Sequence, residues 1–300
     1  MSRIHEALKK AEDEKSPTRR ASGVGPLDFA DYVAEPPAPG TLDPLSQGGA
    51  PTPEVCLRIE DLRGRCAKPG WNLDPDYDVF SAKQSFLPCA EQFRTLRSRL
   101  YRHREKNPIR TLLVTSTLPG EGKTFVALNL ALSITRQHER RALLIDADLR
   151  ASRLHTRMGA PSAPGLSDYL NGKADEFSVI QADPKAELFL IPAGTSVPNP
   201  AELLANGLLK GFLDYAGPAF DWVILDAPPV LAVSDPGVLA EICDGVIVVI
   251  RAGATAHDLV QKTLQEFRGK NLLGVVLNRA EEEMNYGAYS SYAGYGMDTK

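Results

Sequence analysis

The residues with the clearest chemical consequence lie between Arg110 and Val126, in RTLLVTSTLPGEGKTFV. A short apolar run, Leu112, Leu113 and Val114, suits a strand covered on both faces. The turn after it carries two glycines and delivers backbone N–H groups to the start of a helix. Unpaired donors there, with the positive end of the helix dipole, favour an anion. In a phosphate loop of this kind Lys123 reaches the outer phosphates of a nucleotide, and the hydroxyl of Thr124 ligates Mg²⁺. The candidate nucleotide-binding residues are Thr117, Pro119, Gly120, Glu121, Gly122, Lys123, Thr124 and Phe125. One position departs from the usual spacing, because Thr117 stands where the first glycine is expected. The alternative is an ordinary strand–turn–helix with GKT on its surface.

Three carboxylates point the same way. Asp146 and Asp148 close the apolar run in LLIDADLR, and Asp226 closes WVILDAPP. An aspartate after four apolar residues is costly inside a core unless it emerges where a cation or hydrogen-bond donors meet it. Asp226 resembles the acidic residue that holds Mg²⁺, often through water, in phosphate-loop proteins. Asp146 and Asp148 are close in sequence, so their like charges also favour a nearby cation. The competing reading has them capping helices or paired with Arg150.

A third chemical signal sits at the C-terminus. Tyr286, Tyr289, Tyr292 and Tyr295 are four of the nine tyrosines, spaced by three among small residues. With few aliphatic neighbours these rings have no core to join, so they read as recognition elements or as substrates. A chance low-complexity tail is the alternative. Tyr286 lies eight residues past Asn278, a maximum reach of about 28 Å. Length therefore permits the tail to enter its own site or a neighbour's.

The elements that would position these groups follow a regular rhythm. Strands are expected at 142–146, 187–192, 221–226, 244–250 and 271–278, besides the one before the phosphate loop. Helices are expected from the loop to about 138, at 165–172, at 235–242 and at 256–268, with one or two in PAELLANGLLKGFLDYA. Alternation of this kind implies an α/β fold: a mostly parallel central sheet with helices on both faces. Ligands in such folds bind at the carboxyl ends of the strands.

Upstream, Pro88 to His103 reads as a helix with Phe93, Leu96 and Leu100 as its apolar stripe. Glu91, Arg94 and Arg97 spread over its neighbouring faces. By charge pattern they describe a solvated face with local pairs; the other reading projects the arginines toward a second subunit. Residues 1–15 read as a short amphipathic helix carrying Ile4 and Leu8. Eight prolines between Ser16 and Pro53 describe a disordered linker. Glu54 to Arg65 permits either a short strand or a short helix, and Pro69 to Phe80 reads as loop.

The totals exclude several classes. A net charge of −4 gives no electrostatic reason to expect nucleic acid as a partner. The four cysteines form no CxxC pair, which argues against zinc or iron–sulfur sites and for a reduced, cytoplasmic chain. No apolar run approaches the roughly 18–20 residues that span a bilayer, and no signal-peptide pattern opens the sequence.

Taken together, TSTLPGEGKT, LLIDADLR, WVILDAPPV, EQFRTLR, GLSDYL, PAGTSVPNPAELL and the tyrosine tail resemble the bacterial tyrosine kinases (BY-kinases) of polysaccharide synthesis and export. The resemblance covers roughly residues 85–300. It implies a phosphate-loop NTPase fold of the MinD/ParA-like branch, with ATP and Mg²⁺ as cofactors. Carried over by position, Lys123 contacts the β/γ-phosphates, Thr124, Asp148 and Asp226 form the metal shell, and Asp146 is the base for the tyrosine hydroxyl. Lys123, Asp146 and Asp148 are thus the implied catalytic residues. Asn278 is a candidate reader of the adenine edge. Glu91, Arg94 and Arg97 correspond to the family's E-x-x-R-x-x-R oligomerisation motif and imply a ring in which each tail enters the next active site. The phosphoacceptors are then Tyr286, Tyr289, Tyr292 and Tyr295.

The implied organisation is a short helix (1–15), a mostly disordered linker with short elements (16–80), a phosphate-loop kinase domain (81–280) and an autophosphorylation tail (281–300). Family members without their own transmembrane segment act with a membrane-embedded activator, a polysaccharide co-polymerase. The expected partners are therefore that protein, other copies of this chain and a cognate tyrosine phosphatase, with recruitment to the inner face of the membrane. The rival is a partitioning or septum-positioning ATPase of the ParA/MinD kind, a nucleotide switch without kinase activity. Those proteins usually carry a signature lysine five positions before the phosphate-loop lysine, where this sequence has Leu118.

Overall fold

The computed structural model describes residues 56–81, 88–183 and 187–280. The expected N-terminal helix, most of the proline-rich linker and the four tail tyrosines lie outside the described residues. Seven strands form one sheet: β1 (Thr111–Ser116), β2 (Ala142–Asp146), β3 (Gln181–Ala182), β4 (Leu188–Ile191), β5 (Trp222–Asp226), β6 (Gly245–Arg251) and β7 (Leu272–Asn278). Their spatial order is β3-β4-β2-β5-β1-β6-β7. Every pairing is parallel except β3 with β4. The mostly parallel sheet is the one the alternation implied. The antiparallel β3 was not expected from sequence, because two residues carry no periodicity.

Side chains along β1 alternate between two cores, Leu113 entering one and Leu112 and Val114 the other, as the two-residue period of a strand requires. The second core is closed by α2 (Pro88–Lys106) and α3 (Lys123–Thr135). Helix α3 is buried through most of its length, from Val126 to Ile134. It lies between the sheet and the Ala90–Phe93–Leu100 face of α2. On the other face lie α5 (Leu166–Leu170), α7 (Pro200–Leu204), α8 (Leu208–Ala216) and α9 (Asp235–Ala240). Gly207, at φ 82°, separates α7 from α8 by taking a left-handed conformation that would end a helix. Short helices α4 (Leu154–Met158) and α6 (Glu176–Val179), and α10 (His257–Glu266) before β7, complete the set.

Residues 56–81 hold the short element permitted for Glu54 to Arg65, as a helix, and the loop expected over Pro69 to Phe80, and both pack against the cores. They contain α1 (Ile59–Arg65). Leu57, Leu62 and Cys66 enter the first core, and Val79 and Phe80 enter the second. Between them Ala67 bridges to Gln181, and its carbonyl accepts from the Ala182 amide at 2.8 Å. The segment thus passes from one face of the sheet to the other around the β3 edge, which is otherwise an open row of backbone donors and acceptors. Its apolar residues are too sparse to show a period, so only the tertiary partners reveal them.

Asn129 holds the end of this segment from inside α3. Its Oδ1 accepts from the Val79 amide at 3.1 Å, and its Nδ2 donates to the carbonyls of Tyr77 (2.8 Å) and Phe125 (2.9 Å). Arg136 adds a bond to the Phe80 carbonyl at 2.7 Å. Because Asn129 is fully buried, its loss strands polar groups away from water. Replacing Asn129 by leucine should cost about 1–3 kcal/mol per stranded group in urea unfolding, and should open residues 71–81 to limited proteolysis. An unchanged midpoint and cleavage pattern would show that the segment is held by its apolar contacts alone.

Candidate nucleotide site

The site is assembled where β1, β2 and β5 end. Parallel register places Val114 beside Asp226 and Asp146 beside Asp226, so two carboxylates sit on adjacent strands about 4.8 Å apart. The loop from Thr117 to Gly122 leaves β1 at the same edge and runs into α3, whose first residue is Lys123. Its ammonium group lies 2.8 Å from Asp148 Oδ2 and 3.6 Å from Asp226 Oδ1. The structure therefore brings Lys123, Asp146, Asp148 and Asp226 together, and all three aspartates are buried.

Burial and like charge dominate the electrostatics. Burial, reinforced by Asp226, pushes Asp146 up to about 7, against the opposing pull of Ser152 and Lys123. Burial also raises Asp226, with Lys123 and the Thr124 hydroxyl pulling the other way. For Lys123 burial disfavours the charge, but Asp226, Asp148 and Asp146 outweigh it and the net shift is upward. Asp146 is further fixed by the Ser152 hydroxyl (2.7 Å) and the amides of Asp148 (3.2 Å) and Leu154 (3.3 Å). Ser152 was not singled out from sequence, since a serine in an irregular turn six residues away gives no signal.

Thr124, Asp148 and Asp226 form a hard-oxygen donor set. Asp226 Oδ1 is buried without a hydrogen-bond partner, its nearest cation being Lys123 at 3.6 Å, so it has room to accept a further donor or cation. Among the described residues no group of three or more His, Cys, Asp and Glu side chains is placed to hold a metal unaided. Mg²⁺ typically takes one or two carboxylates and completes its shell with water and substrate phosphates.

Other expected contacts are redistributed. Glu121 is buried, and its side chain accepts from the Leu118 amide at 2.7 Å and from the Thr255 hydroxyl. Its side chain is a strut between the loop and the end of β6. Thr117 is fully buried, and its carbonyl accepts from the Leu231 amide at 3.3 Å. Pro119 and Gly120 lie exposed at the rim. The Phe125 ring packs edge-on to Tyr77 and Phe93, at 5.9 and 5.8 Å. Asn278 donates to the Glu121 carbonyl at 2.8 Å, which sets it against the loop backbone. Arg150 pairs with neither Asp146 nor Asp148 but grips the buried Asp235 through two bonds of 2.8 and 2.9 Å.

On α2, Glu91 and Arg94 pair with one another on the exposed face. Arg97 turns inward to the carbonyl and hydroxyl of Ser133, so it does not share the outward direction expected of the motif. An exposed pair one turn apart contributes only a few tenths of a kcal/mol; the apolar face holds the helix.

Residues 112–293 match the family described as the CobQ/CobB/MinD/ParA nucleotide binding domain. Tyrosine-protein kinase YwqD of Bacillus subtilis (strain 168) is 34% identical over 206 residues, which is 67% of this chain and 86% of that protein. Tyrosine-protein kinase CpsD of Streptococcus agalactiae is 34% identical over 206 residues, 67% of this chain and 89% of that protein. The solved kinase domain of Escherichia coli tyrosine kinase ETK superposes with a TM-score of 0.61 at 35% identity, covering 64% of this chain and 76% of that one.

The loop geometry yields a direct test. Gly122 has φ 100°, and a Cβ there would lie 2.0 Å from Asn278 Nδ2. Gly122→Ala should therefore cost about 1–3 kcal/mol of stability and at least tenfold in Mg·ADP affinity by calorimetric titration. Wild-type affinity in this variant would show that the loop tolerates a different path.

Proposed function

Because the chain belongs to the bacterial tyrosine kinases, enzymes that transfer phosphate from ATP to protein tyrosine, we propose that its principal substrate is its own C-terminal cluster, Tyr286, Tyr289, Tyr292 and Tyr295. The observation that carries this reading is the convergence of Lys123, Asp146, Asp148 and Asp226 on one sheet edge. The chain leaves β7 toward its tail at that same edge.

In this reading Lys123 and the loop amides hold the β- and γ-phosphates, and Thr124, Asp148 and Asp226 hold Mg²⁺. The ion supplies charge neutralisation between the phosphates, as phosphoryl transfer generally requires. Asp146 accepts the proton of the tyrosine hydroxyl as the oxygen–phosphorus bond forms and the bond to ADP breaks. A carboxyl raised to about 7 suits that role, because a base works best with a pKa near the operating pH. Positioning by the rigid strand ends supplies most of the remainder.

Transfer occurs between subunits of a ring in which the exposed Glu91–Arg94 pair of α2 exchanges its partners for those of a neighbour, while Arg97 braces α2 on α3 from within. A membrane-embedded co-polymerase recruits and activates the ring at the inner face of the membrane, and a tyrosine phosphatase resets it. The cycle regulates polysaccharide chain length and export. Among the described residues no helix is long and apolar enough to cross a membrane. Four phosphates add roughly −6 to −8 charges beside Glu281, Glu282 and Glu283, and this repulsion expels the tail and loosens the ring.

Incubation with Mg·ATP, with and without the cytoplasmic segment of the membrane partner, should yield phosphotyrosine that maps to the tail. Lys123→Met should abolish it, and replacing all four tyrosines by phenylalanine should remove most of it. Phosphate release without phosphotyrosine would favour a nucleotide switch instead. Sedimentation of the fully phosphorylated protein should show smaller species than the unmodified ring; an unchanged ring would overturn the repulsion step.

A further inference from the structure

A second concave site lies at the opposite edge of the sheet. A cavity of about 710 Å³ opens where the strands begin, beside Thr111 at the head of β1 and Asp244 just before β6. It is separated from the phosphate loop by the length of β1, roughly 20 Å for six residues. Its walls combine apolar side chains, Ile109, Leu213 and Ile242, with Tyr215 and two arginines, Arg104 and Arg110.

The charges in these walls are unequally committed. Asp244 uses one oxygen to accept the backbone amides of Arg110 and Thr111, at 2.8 and 2.7 Å. Asp214 is paired with Lys210 at 2.6 Å. Arg104 donates one N–H to the Asp221 carbonyl at 2.6 Å and retains others. The Arg110 guanidinium has no hydrogen bond or ion pair among the described residues, and its Nε is buried. The Nε is closed off from the cavity, but Arg110 is half-exposed, so its remaining N–H groups and those of Arg104 are available to donate to an anion there. A bare phosphate would leave the apolar walls unused. An aryl phosphate satisfies both, with its ring against the apolar walls and its oxygens on the free N–H groups of Arg104 and Arg110.

We propose that this cavity binds phosphotyrosine of the chain's own C-terminal tail, a product-recognition site distinct from the catalytic edge. The proposal rests on the tail being the modified segment. Tyr286 to Tyr295 lie 8 to 17 residues beyond Asn278, a maximum reach of about 28–58 Å. A tail therefore spans the sheet to its own cavity or to that of a second copy. Engagement there removes the modified tail from the catalytic edge and frees that edge for the next acceptor.

The test uses a synthetic peptide of residues 284–296 phosphorylated on Tyr289, so binding is read whether or not the chain modifies that tyrosine. Fluorescence anisotropy with the full chain, saturated with Mg·ADP to occupy the phosphate loop, should show the phosphopeptide binding at least tenfold tighter than its unmodified form. Arg110→Gln should reduce that affinity at least tenfold without altering Mg·ADP binding. Gly211 lines the cavity with open space around its Cβ position, so Gly211→Trp should fill the cavity without backbone strain and block the peptide. Equal binding of the two peptides, or full affinity in a folded Gly211→Trp variant, would each overturn the proposal. Tail phosphorylation measured separately reports on the kinase reading alone.

Discussion

Among the described residues Lys123 is the one cation paired with the three buried carboxylates, and the site is organised by that imbalance. Its ammonium contacts both Asp148 and Asp226 but cancels only one of the three negative charges, and Asp146 has no cation within ion-pair distance among the described residues, in a region water barely enters. Removing an ion from water costs several kcal/mol, so the surplus must be met by a proton, hydrogen-bond donors or a second cation. The structure uses the first two. Asp146 accepts from Ser152 and two backbone amides, and its raised pKa keeps a proton within reach near neutrality. A pocket that stores negative charge in this way has chemical use for a divalent ion and the phosphates it accompanies.

That arrangement needs strands whose ends coincide. Parallel pairing of β2 with β5 and of β5 with β1 brings three carboxyl ends to one level, and the buried α3 pins the lysine to them. The phosphate loop cannot rest on its glycines alone, because left-handed residues at Gly120 and Gly122 offer it little stiffness. Glu121 supplies the stiffness from within, tying the loop amide at Leu118 to Thr255 beyond β6, while Asn278 closes on the loop from β7. The outer strands therefore shape the loop without contributing chemistry to it.

The strand–helix rhythm, the phosphate loop and the acidic strand ends are legible in the sequence because each is local. A buried parallel strand is a continuous apolar run, and Asp146 and Asp226 each stand at the end of one. The inward turn of Arg97 is not legible: the same three-residue spacing serves an outward motif and an inward brace, and the choice is made by Ser133 on another helix. The same holds for Glu121, whose charge in a phosphate loop suggests solvent or ligand until Thr255, 134 residues away, is brought beside it. Leu57, Leu62 and Phe80 are hidden for a related reason, since isolated apolar residues in a polar stretch acquire meaning only from the surfaces they cover.

Those wrapped residues bear on the site more than their distance in sequence suggests. Residues 71–80 end against α3, where Tyr77 stacks edge-on to Phe125, one residue after Thr124. Asn129, one turn further along α3, bonds the Phe125 carbonyl and the Val79 amide with the same side chain. The first turn of α3 carries the lysine and the hydroxyl of the phosphate loop, so its orientation is set jointly by the loop in front and by this segment behind.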